Sequence, residues 1–76
     1  MTITDVKNYL AKLTSHVMFD YNGYSCGVDP LSRNKFVMWY GDNEKTVNSI
    51  EEVMNSEFFD GKSLTDIWND IIELDY

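Results

Sequence analysis

The sequence has little of several residue types, and each shortage argues against a class of protein. Cys26 is the only cysteine among 76 residues, so no disulfide can form within the chain. The longest apolar run, residues 36–40, is far shorter than the roughly 20 residues that a helix needs to cross a bilayer. With no signal-like apolar stretch at its start, we expect a chain of the reducing cytoplasm that does not enter a membrane.

Basic side chains are also scarce, and their distribution is uneven. The chain has six Lys and Arg and thirteen Asp and Glu, which gives a net charge of −7. This charge argues against direct binding of nucleic acid through its phosphates. Residues 1–38 carry three acidic and four basic side chains, a net +1, whereas residues 39–76 carry ten acidic and two basic, a net −8. This asymmetry predicts an acidic face, and another protein, in particular a basic one, as the partner.

No set of residues in the sequence has the pattern of a catalytic or cofactor site. His16 and Cys26 are the only residues of their types, and neither has the neighbours that nucleophilic catalysis needs. Gly61-Lys62-Ser63 resembles the end of a phosphate-binding loop, but Ser56 stands where that motif requires a glycine. We therefore expect no enzyme activity, no cofactor and no bound metal.

Aromatic residues are abundant, and they suit a small domain. Four Phe, five Tyr and two Trp can each bury about 150–250 Å², which offsets the limited core of so short a chain. We expect a single domain over residues 1–76.

The first element is predicted to be an amphipathic helix. Thr2 and Asp5 have the form of a capping box at its start, although Thr4 could be the N-cap instead. Apolar side chains then recur at helical spacing in Val6, Tyr9, Leu10 and Leu13.

Asn22-Gly23 predicts a β-hairpin, because these residues suit the positive φ angles of a type I′ turn and lie between two alternating apolar runs. A two-residue loop would place three pairs on the core face: Tyr21 with Tyr24, Phe19 with Cys26, and Val17 with Val28. Asp29-Pro30 is predicted to end the second strand. Residues 35–40 predict a third strand, and residues 45–48 a short fourth.

Two helices are predicted to follow the strands, with Ser49 and Ser63 as their N-caps. The last helix would bury a stripe of Leu64, Ile67, Trp68, Ile71 and Ile72. The predicted fold is α+β: an N-terminal helix, a three- to four-stranded antiparallel meander with the Asn-Gly hairpin, and two C-terminal helices packed on one sheet face.

The second face of this sheet is a candidate interface. Met18, Val37 and Trp39 alternate with the predicted core residues and would project from it. An exposed apolar patch around a tryptophan is typical of protein interfaces, and a self-complementary one would give a homodimer. The alternative is that a helix or loop covers this face.

The candidate acidic face lies at the end of the chain. Asp66, Asp70 and Glu73 would share one side of the last helix, with Asp75 beyond them. Glu73 and Asp75 would then stand at a helix C-terminus, where the helix dipole disfavours negative charge.

One segment carries a resemblance to known proteins. Asp60-Gly61-Lys62-Ser63-Leu64, after the Ser-capped segment 50–53 and before Asp66-Ile67, resembles the ending of small uncharacterised proteins of Gram-positive gut bacteria and their mobile elements. The resemblance covers the last third of the chain and implies no activity. In size, acidity and order of elements the chain is also similar to some phage-encoded inhibitors that imitate DNA.

These observations favour a non-enzymatic protein-interaction module. The first alternative is an acidic DNA mimic that inhibits a nucleic-acid-binding protein. The second is a small-molecule or metal-binding domain, with Tyr21, Tyr24 and Tyr40 as the source of polar groups.

Overall fold

Five strands and three α-helices make up the fold in the computed structural model, which describes residues 1–13 and 15–76. In chain order the elements are α1 (Ile3–Ala11), β1 (Val17–Tyr21), β2 (Tyr24–Ser32), β3 (Lys35–Tyr40), β4 (Asn43–Val47), α2 (Ile50–Asn55), α3 (Leu64–Ile67), a 3₁₀ turn (Trp68–Asp70) and β5 (Ile72–Asp75). The predicted α+β class and the N-terminal helix are confirmed, and the sheet has five strands rather than three or four.

The strands form one antiparallel sheet in the order β4-β3-β2-β1-β5. The β1–β2 hairpin has the predicted register, with Phe19 opposite Cys26. Asn22 and Gly23 have φ angles of 55° and 82°, as a type I′ turn requires. The hairpin could be predicted because its turn chemistry and its alternation are both local.

β2 continues past Pro30, so the prediction that Asp29-Pro30 ends the strand is wrong. β1 ends its pairing with β2 at Val28, and beyond that point β2 has only β3 as a neighbour. The missing N–H of proline therefore removes no bond to β1 there. The register with β3 shifts between Pro30 and Ser32, where the strand approaches its turn.

The prediction of a long last helix is also wrong. α3 ends at Ile67, the 3₁₀ turn ends at Asp70, and β5 pairs with the free edge of β1. A strand here removes the conflict between Glu73, Asp75 and the dipole of a helix C-terminus. It also gives the edge of β1 a hydrogen-bonded partner, which a helix could not do.

All three helices contribute to the core on one side of the sheet. Val6 and Leu10 of α1, Val53 of α2, and Leu64 and Ile67 of α3 are buried in the same cluster as the inward side chains of the strands. Helices on one sheet face were predicted, and this placement leaves the opposite face of the sheet without a helix.

The N-cap of α3 gives a test of this local structure. Ser63 is buried, and its hydroxyl accepts a hydrogen bond from the Asp66 N–H at 3.2 Å, while the Asp66 carboxylate accepts one from the Ser63 N–H. We expect Ser63→Ala to lower the free energy of unfolding by about 1–2 kcal/mol in urea denaturation. Thr2→Ala removes the equivalent capping box at the exposed start of α1 and should lower the free energy of unfolding by less than Ser63→Ala does. A larger loss for Thr2→Ala would contradict this expectation.

Candidate functional site

The helices cover only one of the two faces of the sheet. On the covered face the inward residues of β1–β4 are buried: Val17, Phe19, Cys26, Val28, Phe36, Met38 and Val47. The residues that lie between these buried ones along each strand point the other way. The residues paired with them on neighbouring strands share that second side. We call this second surface the open face, and it consists of Met18, Asp20, Ser25, Gly27, Asp29, Val37, Trp39, Glu44, Thr46, Ile72 and Asp75. In the described part of the chain, no helix packs on it.

One row of residues crosses the centre of the open face. The register places Asp75 opposite Met18, Met18 opposite Gly27, Gly27 opposite Trp39, and Trp39 opposite Glu44. Directly opposed residues in antiparallel strands lie side by side on the same face. The row therefore has an apolar middle and a carboxylate at each end.

Gly27 determines how Trp39 lies on the sheet. A Cβ atom at Gly27 would stand 2.5 Å from Cη2 of the indole and 2.6 Å from the backbone oxygen of Val17. Such separations are shorter than van der Waals contact, so only glycine lets the indole lie directly over β2. Trp39 is half-buried, and its six-membered ring lies over Gly27 of the central strand β2.

Met18, Val37 and Trp39, the three residues predicted for an interface, lie on this face together. Each is half-buried, so none is enclosed by the rest of the chain. The sequence left open whether a helix or loop covers this face; among the described residues no helix packs on it, and its three apolar side chains are half-buried.

A shallow cavity borders the tryptophan. It has a volume of about 450 Å³ and is lined by Asp29, Val37, Trp39, Gly41, Asp42 and Glu44. Three of these six residues carry carboxylates, and none is basic. The cavity thus combines an indole and a valine with negative charge.

The charge of the open face is strongly one-sided. Asp20, Asp29, Glu44 and Asp75 belong to it by register, and Asp42 adjoins it at the β3–β4 turn. Lys35 begins β3 on the same side as Val37 and Trp39, and it supplies one positive charge to set against these five negative ones. Asp29, Asp42 and Glu44 were not among the residues predicted for a site, although Asp29 follows the same strand alternation as Trp39, and Glu44 lies one residue before the predicted fourth strand.

The carboxylates predicted to form one acidic helical face do not share a helix. Asp66 caps α3, Asp70 ends the 3₁₀ turn, and Glu73 and Asp75 lie in β5. Glu73 has a φ angle of 55° at the irregular pairing of β5 with β1. Only Asp75 joins the open face. Asp70 does not lie on a strand, but it lines a cavity of about 260 Å³ beside the β1–β2 turn together with the open-face residues Asp20, Ser25 and Ile72.

Cys26 lies in the core, where it is poorly suited to chemistry. It is fully buried, and burial raises the pKa of its thiol from 9.0 to about 11. His16 is exposed and precedes β1. The structure therefore places Cys26 in the core and His16 at the surface.

The buried thiol gives a prediction about stability against pH. A folded-state pKa above the unfolded value means that the folded chain holds its proton more tightly, so stability must fall as pH rises from about 9 to about 11. We expect urea denaturation of the wild-type chain to show a steeper loss over this range than Cys26→Ala. Parallel pH profiles, or rapid labelling of the native thiol by iodoacetamide, would contradict the burial of Cys26.

The three tyrosines proposed as polar groups pack mainly on one another. The Tyr24 and Tyr40 rings lie 4.9 Å apart, and the Tyr40 hydroxyl accepts a hydrogen bond from the Asn22 side chain at 2.9 Å. Tyr21 lies 6.4 Å from the Tyr40 ring. Among the described residues, no group of three or more His, Cys, Asp or Glu side chains is arranged to hold a metal ion.

Within residues 1–13 and 15–76, every helix is too short or too polar to cross a bilayer. No family model, curated protein or solved structure matches the chain.

Proposed function

We propose that this chain is a non-enzymatic protein-interaction module that binds another protein through the open face of its sheet. One observation carries the proposal: a half-buried tryptophan lies at the centre of an apolar strip on a sheet face that no described helix covers. Tryptophan is among the residues most enriched at the energetic centres of interfaces, and apolar patches on small domains commonly mark such sites.

The sheet edges are less suited to binding than the open face. β4, at one edge, carries Glu44 and Lys45, and charged side chains on an edge strand oppose the addition of a further strand. β5, at the other edge, has an irregular register and a positive φ angle at Glu73. Irregularities of this kind also protect edges, which supports a partner seated on the face.

Affinity capture tests this proposal with a matched pair of aromatic truncations. Trp39→Ala removes the side chain at the centre of the open face, whereas Tyr24→Ala removes an exposed aromatic side chain on the opposite side of the sheet. We expect Trp39→Ala to cost at least about 2 kcal/mol of binding free energy to the captured protein, and Tyr24→Ala to leave binding nearly unchanged.

Val37→Ser serves as a second variant on the open face, because it removes only a half-buried apolar side chain and should fold normally. Circular dichroism confirms the fold of each variant before capture. A partner that both open-face variants retain would contradict the proposal, whatever the effect of Tyr24→Ala.

The DNA mimic remains a second candidate, now with a different set of carboxylates. The set predicted from the sequence is dispersed over α3, the 3₁₀ turn and β5, but five carboxylates accompany the open face. If the captured protein binds nucleic acid, DNA should compete with the chain for it, and binding should weaken steeply with salt. Simultaneous binding of DNA and the chain would exclude this candidate.

We also place the protein in the cytoplasm as part of this proposal. A single, buried, unpaired cysteine is typical of proteins in reducing compartments. Measurement of the protein in fractionated cells tests the placement, and recovery from a secreted fraction would contradict it.

A further inference from the structure

We propose that the segment bound on the open face carries arginine, with a guanidinium group stacked on Trp39 and paired with Asp42 and Glu44. This inference rests on the proposed function and adds the chemistry of the partner to it. It follows from three features of the open face: the position of the indole, the sign of the surrounding charge, and the area available.

The indole has one region against the sheet and another beside the cavity. Its six-membered ring lies over Gly27, and the side chain also lines the cavity of about 450 Å³. A cation in that cavity would meet an aromatic surface and the carboxylates of Asp29, Asp42 and Glu44. The cation would be attracted both to the aromatic ring and to the carboxylates, and the two attractions would add.

Arginine fits this combination better than lysine. Its guanidinium is planar, stacks on aromatic rings, and is more weakly hydrated than an ammonium group, so it loses less on leaving water. Its donors form a fork that can contact a carboxylate through two hydrogen bonds at once. A lysine ammonium offers neither the flat surface nor the fork.

Charge also argues against a second copy of this chain as the occupant. Five carboxylates accompany the open face against one lysine, so two such faces brought together would place like charges opposite each other. Like charges across an interface disfavour association, whereas a basic surface would be attracted. The complementary partner is therefore cationic.

The size of the face indicates a segment rather than a broad surface. Five strands about 4.8 Å apart span about 19 Å, and a five-residue strand is about 17 Å long. A helix is about 10–12 Å across, so a sheet about 19 Å wide has room for one helix but not for two side by side. A single helix or loop of the partner would cover the face.

Nuclear magnetic resonance with synthetic peptides tests the inference on the full chain. The probe is a short acetylated and amidated peptide in which arginine alternates with leucine, and its matched peptides carry citrulline or lysine instead of arginine. We expect shifts at the Trp39 indole N–H and at the amides of Gly27 and Glu44, with affinity for the arginine peptide about tenfold above that for either matched peptide.

Variants of the chain separate the two parts of the arginine site. Trp39→Leu keeps an apolar side chain but removes the aromatic ring, and it should weaken binding of the arginine peptide about tenfold. Glu44→Gln should weaken binding severalfold. Glu51→Gln, the same change at an exposed position of α2, should leave binding unchanged. Raising salt from about 0.1 M to about 1 M shortens the Debye length from about 10 Å to about 3 Å and should weaken binding further.

The outcomes distinguish this inference from the proposed function. Equal binding of the arginine, citrulline and lysine peptides at the open face would overturn the arginine assignment and leave the proposed function standing. Shifts confined to the helical side, or binding unchanged by Trp39→Leu, would also overturn it. The proposed function fails by a separate result, the retention of the captured protein by Trp39→Ala and Val37→Ser.

Discussion

Phe59→Ala should lower the free energy of unfolding by about 3–5 kcal/mol, the largest effect we expect from one substitution. Phe59 is completely buried between the helices and the sheet, although it lies in the irregular segment between α2 and α3. Its ring lies 5.8 Å from that of Phe19 and 6.3 Å from that of Tyr40. Alanine would leave a cavity where the core meets the hairpin.

The backbone holds Phe59 in place through a small turn. Its N–H donates to the Lys62 carbonyl at 2.9 Å, and the Lys62 N–H donates back at 3.1 Å. Asp60 and Gly61 complete the turn with φ angles of 57° and 77°. The turn points one large side chain inward without a regular strand or helix.

Urea denaturation, followed by circular dichroism, measures this effect. Domains of this kind have only about 5–15 kcal/mol of stability in total, so Phe59→Leu provides a variant that remains folded if the alanine variant does not. Phe58→Ala is the matched control, because Phe58 is only half-buried and its truncation should lower the free energy of unfolding by less. Equal losses at the two positions would contradict the central place of Phe59 in the core.

Gly27→Ala should lower the free energy of unfolding by about 1–3 kcal/mol, although alanine usually stabilises a strand relative to glycine. The new methyl group would lie 2.5 Å from Cη2 of Trp39 and 2.6 Å from the Val17 oxygen. Either the indole must move off β2 or β1 must shift. The same substitution should therefore disturb the open face as well as stability.

A double-mutant cycle with Trp39→Ala divides this cost into its two causes. Removal of the indole relieves the contact with the new methyl group but leaves the contact with the Val17 oxygen. We expect the double variant to be more stable than the sum of the two single effects predicts. Ser25→Ala, an exposed change on the same strand, should be nearly neutral. An unchanged or higher stability for Gly27→Ala would contradict the position assigned to Trp39.

The elements predicted correctly from the sequence are those determined by neighbouring residues. The capping boxes at Thr2 and Ser63 and the turn at Asn22-Gly23 depend on contacts over a few positions, so local chemistry suffices. β5 depends on β1, which lies more than fifty positions earlier in the chain. Its apolar residues also suited a helix, and only the dipole conflict at Glu73 and Asp75 indicated otherwise.

The candidate site was predictable in part for the same reason. Strand alternation placed Met18, Val37 and Trp39 on one face before the register was known. The carboxylates beside them were harder to place: Glu44 lies one residue before the predicted fourth strand, and Asp75 joins the face only because β5 pairs with the distant β1. A pattern along the chain cannot show pairing between distant strands.

The central claim, that the partner binds the open face, is tested most directly by photo-crosslinking from two positions on one strand. Thr46 and Asn43 are both exposed and uncharged; Thr46 lies opposite Val37 on the open face, whereas Asn43 lies opposite Tyr40 on the other side. With benzoylphenylalanine at position 46, the bound protein should crosslink to the chain, and with the same residue at position 43 it should not. Crosslinking from position 43 and none from position 46 would contradict the account.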